Sequence, residues 1–169
     1  FFPEEGKYHY DGHRLCGVSF SPAETKKIGG TCPVCGKPLT IGVLNRIEEL
    51  ADRPADRPEG QMPASAVPFK SLVPLEEIIA EAFGILPGGK RVEEEYRNLI
   101  NKLGNEFNIL VEASKEDLAA ATMPEIAEGI LKVREGKVII EPGYDGVYGK
   151  VKVFSQGEQK TVSKQKTLF

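Results

Sequence analysis

Gly12–Pro38 reads GHRLCGVSFSPAETKKIGGTCPVCGKP, and it holds all three cysteines of the chain and one of its two histidines. His13 and Cys16 form an HxxC pair, and after fifteen intervening residues Cys32 and Cys35 form a CxxC pair. That spacing is the spacing of zinc ribbons. Two ligands separated by two residues fit one tight turn, so each pair presents both side chains to a single ion. Two such turns facing each other complete a tetrahedron with bonds of about 2.0–2.3 Å. Gly17 and Gly36 each follow a pair directly, where the backbone of such a knuckle needs freedom. Three thiolates and one neutral imidazole fill tetrahedral zinc and leave no position for a substrate water. The expected site is therefore one structural zinc ion on His13, Cys16, Cys32 and Cys35.

The residues leave other readings open at this point. His9 is a substitute for the fourth ligand, although HxxC better reproduces the partner knuckle. A thioredoxin-like role for Cys32-Pro33-Val34-Cys35 lacks a preceding βαβ unit and leaves Cys16 idle. Buried, unliganded thiols are the plainest reading. Against all of these, residues 1–40 are rich in Gly, Cys, His and turn formers and poor in large apolar side chains. Bound metal would supply the folding free energy that such a segment lacks.

Outward from this stretch the chain is ordinary. Its 169 residues fit one compact domain or two small ones, with 40% hydrophobic and 28% charged residues. A net charge of −3 argues against a surface coated in lysine but not against a local basic face. Three cysteines cannot all pair with one another, which favours a reducing interior over a disulfide scaffold. No apolar run approaches the roughly 18–20 residues that cross a bilayer, and FFPEEGKYHY has no signal-peptide pattern. A soluble, cytoplasmic protein with no membrane partner is expected. The chain opens on Phe1-Phe2 without an initiator Met, so a longer protein with a missing upstream part is expected.

From Leu39 the periodicity changes. Val43, Leu44, Ile47 and Leu50 recur at helical spacing opposite Arg46, Glu48 and Glu49, predicting a short amphipathic helix. ADRPADRPEGQMPASAVP, residues 51–68, reads as an exposed connector. Pro74 suits a first helical turn, Leu75, Ile78, Ile79 and Phe83 mark a buried face, and Gly84 stops it. Val92, Tyr96, Leu99, Ile100 and Leu103 form the next stripe, ending at Gly104. FNILV, residues 107–111, reads as a short strand. Ser114 starts one helix and Pro124 another, which carries Ile126, Ile130 and Leu131. After the REGK turn, KVIIEPGYDGVYGKVKVF reads as strand, Gly-rich loop, strand. Residues 155–169 read as a disordered tail.

The expected fold class is α+β. A zinc-ribbon-like domain with a trailing helix (1–50) and the connector (51–68) lead to a mainly helical domain that ends in a β-hairpin (69–154).

GYDGVYGK, Gly143–Lys150, interleaves glycines with two tyrosines. Such a loop lets backbone approach a ligand, with Tyr144 and Tyr148 stacking on bases and Lys150 on phosphate. The alternative is a tight hairpin whose tyrosines cap the core. Lys70, Arg97 and Lys102 are candidate phosphate contacts, or else solvated lysines and arginines on exposed faces. No cluster of carboxylates and histidines suits a catalytic metal pair, and with two histidines in total a nucleophile–base pair is hard to assemble. No catalytic residue is predicted.

Successive blocks of the chain resemble the C-terminal part of endonuclease Q. They are GKYHYDGHRLCGVSFSP (6–22), TCPVCGKPLTIGVLNRIEELADRP (31–54), AVPFKSLVPLEEIIAEAFG (66–84), EEEYRNLINKLGNEFNIL (93–110) and MPEIAEGILKVREGKVIIEPGYDGVYGKVKVF (123–154). The resemblance runs from residue 3 to 154 in the family's order. It implies a zinc-binding domain and a helical domain from archaeal and some bacterial DNA repair enzymes. In that family an N-terminal polymerase-and-histidinol-phosphatase (PHP) type barrel carries the catalytic metals and nicks DNA 5′ to uracil, hypoxanthine and abasic sites. The barrel is absent from these 169 residues. The implied partners are therefore that PHP domain and double-stranded DNA with deaminated or abasic lesions. The implied role is gripping DNA and holding the lesion nucleotide out of the stack, without cleavage.

In a DNA repair setting, Gln165-Lys166-Thr167-Leu168-Phe169 resembles the opening of a motif that binds the sliding clamp (PCNA). Gln165 would hydrogen-bond, and Leu168 and Phe169 would fill an apolar groove. A stand-alone zinc-ribbon adaptor between DNA and a clamp is the competing reading, and a zinc-stabilised RNA-binding module a third.

Overall fold

The computed structural model describes residues 1–52, 67 and 69–155. Most of the expected connector and the tail from residue 156, with Gln165, Leu168 and Phe169, lie outside the described residues. Helices and two small two-stranded sheets make up an α+β fold, as the sequence predicts. The chain divides into two compact units. One comprises the described part of Pro3–Phe69 together with Ile140–Lys150; the other comprises Phe1–Phe2, Lys70–Ile139 and the described residues from Val151.

In the first unit, β1 (Asp11–His13) and β2 (Val18–Phe20) pair antiparallel, with Gly12 opposite Ser19. Helix α1 (Pro22–Lys27) follows, then α2 (Val43–Leu50). The sequence reading missed α1, although SPAE carries its signal. The Ser21 hydroxyl accepts from the Glu24 amide while the Glu24 carboxylate accepts from the Ser21 amide, a capping box with Pro22 in the first turn. The buried apolar cluster is small, consisting of Val18, Cys32 and Leu39 with Cys16 and Phe20 against it. Asp11, fully buried, ties the start of α2 to β1 by accepting from the Gly42 amide and the Asn45 side-chain amide, each at 2.6 Å. The stripe predicted for α2 exists, but Val43, Ile47 and Leu50 are exposed.

The second unit has a conventional core. Helices α3 (Leu75–Phe83), α4 (Lys90–Leu103), α5 (Lys115–Ala121) and α6 (Pro124–Arg134) pack with α3 against both α4 and α6, and α5 against α4 and α6. Leu75, Ile78, Ile79, Val92, Leu99 and Ile130 are completely buried, at the helical spacing read from the sequence. Gly84 ends α3 with φ +64, and the Ser114 hydroxyl caps α5 by accepting from the Asp117 amide at 3.0 Å.

The expected strand at FNILV is corrected. Asn108–Glu112 form a π-helical turn, closed where the Ala113 amide donates to the Asn108 carbonyl at 2.8 Å. A five-residue apolar run cannot be assigned by periodicity. Here the side chains decide it. Asn105 accepts from the Asn108 amide, Asn108 donates to the Leu103 carbonyl, and Arg134 donates to the carbonyls of Ile109, Leu110 and Ala113.

The strands β3 (Ile139–Glu141) and β4 (Lys150–Lys152) pair, as expected. The loop between them was expected within the helical domain, whereas it belongs to the Cys/His unit. Backbone hydrogen bonds are the reason: Gly143, Gly146 and Gly149 donate to the carbonyls of Glu4, Lys7 and Glu5, and Tyr10 donates to the Gly143 carbonyl.

Candidate functional site

Each half of the Cys/His group is held by a tight turn. The Gly17 amide donates to the Arg14 carbonyl, and the Gly36 amide donates to the Cys32 carbonyl. Gly17 and Gly36 have φ of +64° and +73°, the left-handed conformation that residues with a Cβ rarely adopt. The Cys32 amide donates to the Lys37 carbonyl at 2.8 Å and closes the second knuckle. His13 ends β1, directly before the turn that presents Cys16.

The four donor atoms of His13, Cys16, Cys32 and Cys35 lie within 4.8 Å of one another. The Cys35 Sγ stands 3.5 Å from the His13 Nδ1. Burial and the neighbouring thiols of Cys35 and Cys32 push the Cys16 thiol up to about 11. Burial also opposes ionisation of Cys32, but the amides of Cys35 and Val34 and the adjacent thiols outweigh it and bring that thiol down to about 7. Crowded thiols of this kind cannot all ionise unless a cation is placed among them. The donor set, three sulfurs and one imidazole nitrogen, fits a soft tetrahedral divalent ion such as zinc. Bound there, the ion supplies structural cross-linking of the two knuckles and, with four protein ligands, offers no open position. His9 lies outside the group and stacks on Tyr10 instead, with ring centroids 5.5 Å apart.

Beside this group, Asp145 anchors the Gly/Tyr loop. Its carboxylate accepts from the Thr40 hydroxyl at 2.6 Å and from the Arg14 amide at 2.7 Å. Those hydrogen bonds, Thr40 first, hold the Asp145 carboxyl below the usual aspartate range. A depressed folded value stabilises the fold above the unfolded value of about 4, and this is lost as pH falls through the folded value. Acid therefore removes two supports together, since protons also compete with metal for the thiolates. Asp145 has φ +42, which Asn tolerates and Ala does not. Asp145→Ala is expected to lower stability at pH 7 by about 1–2 kcal/mol in urea unfolding, with Asp145→Asn losing clearly less. Equal losses for the two would remove the backbone part of the argument.

The candidate DNA contacts fall in different surroundings. Tyr148 is 69% exposed. Tyr144, in contrast, is half-buried against Gly12, where an added Cβ would sit 2.5 Å from the Tyr144 ring. Lys150 is exposed. In the helical unit, Lys70 lines a cavity of about 400 Å³ with Phe107 and Leu110. Arg97 is exposed and paired with Glu93. Lys102 is exposed, and its ammonium donates to the Ala121 carbonyl at 2.8 Å, at the end of α5. Sequence reasoning missed Lys7, Tyr8 and Arg14. Lys7 lies 5.8 Å from the Tyr8 ring centroid and 5.6 Å from that of Tyr148. The only signal for Lys7 and Tyr8 was the basic-aromatic run KYHY ahead of the HxxC pair, and Arg14 lies within that pair.

No helix of the described residues is long and apolar enough to cross a membrane. The family model described as the MJ0043 C-terminal domain matches residues 74–137. The protein MJ0043 of Methanocaldococcus jannaschii is 36% identical over 149 residues, covering 88% of this chain and 18% of the relative. YqxK of Bacillus subtilis is 33% identical over 156 residues, covering 89% of this chain and 34% of the relative. The chain thus spans between about a fifth and a third of these relatives. Among solved structures, the lesion-specific endonuclease PfuEndoQ from Pyrococcus furiosus superposes with a TM-score of 0.76 at 28% identity, over 96% of this chain and 39% of that one. Endonuclease Q in complex with a 27-mer duplex bearing an abasic lesion at its active site gives a TM-score of 0.67 at 31% identity, over 94% and 38%. The chain has an endonuclease Q-like fold over nearly its whole length.

Proposed function

We propose that this chain is the DNA-engaging part of a lesion-directed endonuclease, braced by one structural zinc and itself without the cutting centre. The observation that carries the reading is the likeness, over 94% of the chain, to an endonuclease Q that holds a duplex with an abasic lesion. Ligand counting agrees with it. Four protein donors fill the one Cys/His group found among the described residues, so that group braces the fold and does not activate water. In the longer protein a PHP-type barrel with its own catalytic metals would nick 5′ to deaminated bases and abasic sites, while this chain grips the duplex. Tyr148, Lys150, Lys70 and Arg97 are its exposed candidates for contact, and Tyr144 shapes the loop that carries Tyr148. Such a protein works inside the cell, in the cytoplasm of a prokaryote. Gln165, Leu168 and Phe169 would tether it to the sliding clamp.

Fluorescence anisotropy with labelled duplexes tests the reading. The zinc-loaded chain is expected to bind DNA with an affinity that falls as salt rises. It should prefer a duplex with an abasic or uracil site to an intact one, and should nick neither. No binding at low salt, or tighter binding to RNA of the same sequence, would sink it. Removal of residues 165–169 is expected to abolish clamp binding and leave DNA binding unchanged. DNA binding lost together with the tail would instead favour the adaptor reading.

A further inference from the structure

Tyr148 comes together with Lys7, Tyr8 and Arg14 although more than a hundred residues separate it from them in the chain. The Lys7 ammonium lies within cation–π distance of both tyrosine rings. Both rings stay open to solvent, Tyr8 at 47% and Tyr148 at 69% exposure. Gly146 places Arg14 in the same surface, because a Cβ there would sit 3.4 Å from an Arg14 guanidinium nitrogen and 3.6 Å from the Tyr8 hydroxyl. Among the described residues Lys7 forms no salt bridge. The nearby Asp145 carboxylate is already taken by Thr40 and by the Arg14 amide. This local positive charge stands out on a chain whose net charge is −3.

The surface is also preformed. Gly146 donates to the Lys7 carbonyl at 2.8 Å and Gly149 to the Glu5 carbonyl at 3.0 Å, so the two segments that carry the tyrosines are laced together by backbone. Two aromatic rings open to solvent, an ammonium within cation–π reach of both, a guanidinium beside them and a backbone-laced support are what an unpaired base with its flanking phosphate requires. A paired duplex hides its base faces and has no use for the rings.

We infer that Tyr8 and Tyr148, with Lys7 between them and Arg14 at their edge, form a stacking platform for an unpaired nucleotide of DNA. The rings take the face of the base, and Lys7 and Arg14 take the adjacent phosphate. This rests on the DNA-binding reading above and deepens it, replacing the pair expected from the sequence, Tyr144 and Tyr148, by Tyr8 and Tyr148.

The test compares three labelled probes on the zinc-loaded 169-residue chain: a single-stranded deoxyoligonucleotide, the paired duplex, and that duplex with one bulged nucleotide. Tyr8→Ala and Tyr148→Ala are each expected to weaken binding of the single-stranded and bulged probes about tenfold, with less than threefold change for the paired duplex. Tyr→Phe at either position should restore binding, because the ring and not the hydroxyl stacks. Lys7→Gln should lower the slope of log affinity against log salt by about one. Wild-type affinity for unpaired probes in folded, zinc-loaded Ala variants overturns the platform alone. Failure of the wild-type chain to bind any of the probes overturns the DNA reading with it.

Discussion

Cys32→Ser is expected to abolish zinc retention and unfold the Cys/His unit while the helical unit keeps its structure. Metal analysis should fall from about one zinc per chain to near none, and proteolysis should open the segment around the two knuckles. The reason is the inventory of that unit's interior. Its buried apolar cluster is Val18, Cys32 and Leu39, with Cys16 and Phe20 against it, so two of these five residues are themselves ligands. Structural zinc contributes about 10–16 kcal/mol in small zinc-finger peptides at pH 7, and an ion held by these four ligands would do the organising that a larger core does elsewhere. Packing and ligation can be told apart, since Cys32 is 1% exposed whereas Cys35 is an exposed residue. If Cys32 mattered only as a small buried side chain, Cys35→Ser would be harmless. Ligation predicts that Cys35→Ser is nearly as damaging, and that a strong chelator reproduces both variants in the wild type. A metal-free protein with an unchanged proteolysis pattern would sink the assignment.

The two knuckles were legible because their ligands are close in sequence and each pair is followed by a glycine that the turn needs. The helices were legible for a similar reason. Leu75, Ile78, Ile79 and Phe83 reveal their face by spacing alone, and Gly84 or Ser114 marks an end by local chemistry. What stayed hidden was decided at a distance. Tyr144 and Tyr148 have like sequence neighbours within one loop. One packs against Gly12 and the other faces solvent because of contacts made with the segment from Glu4 to His13. Tyr8 gains its significance only through Tyr148. The capping box of α1 is local and could be read, but a segment poor in apolar residues drew attention to its turns. FNILV was misassigned because its conformation depends on the side chain of Arg134, more than twenty residues later.

That dependence makes Arg134 a position in the helical unit where a single change should cost much. Its guanidinium donates to the carbonyls of Ile109 at 2.6 Å, Leu110 at 2.9 Å and Ala113 at 2.7 Å. The Ile109 and Leu110 oxygens lie within this single π-helical turn and the Ala113 oxygen just past it, and one turn is too short to supply them with backbone donors of its own. Ile109 and Leu110 are buried, so water cannot readily substitute. Burial lowers the Arg134 pKa below its ordinary value, yet an arginine remains charged at any working pH, and the three acceptors satisfy it. Arg134→Met keeps most of the aliphatic stem and removes all of the donors. Each acceptor left without a partner costs about 1–3 kcal/mol, and partial relaxation of the turn brings the expected total to about 3 kcal/mol. In a unit of this size that lowers the midpoint of thermal unfolding by about 12–24 °C. Arg134→Lys offers one ammonium where a planar fork spans three carbonyls, so it should recover less than half of the loss. Calorimetry on the zinc-loaded protein, where the Cys/His unit is held by its metal, reads the change in the helical unit. An Arg134→Met variant that unfolds within about 3 °C of the wild type would show that the turn holds without its arginine.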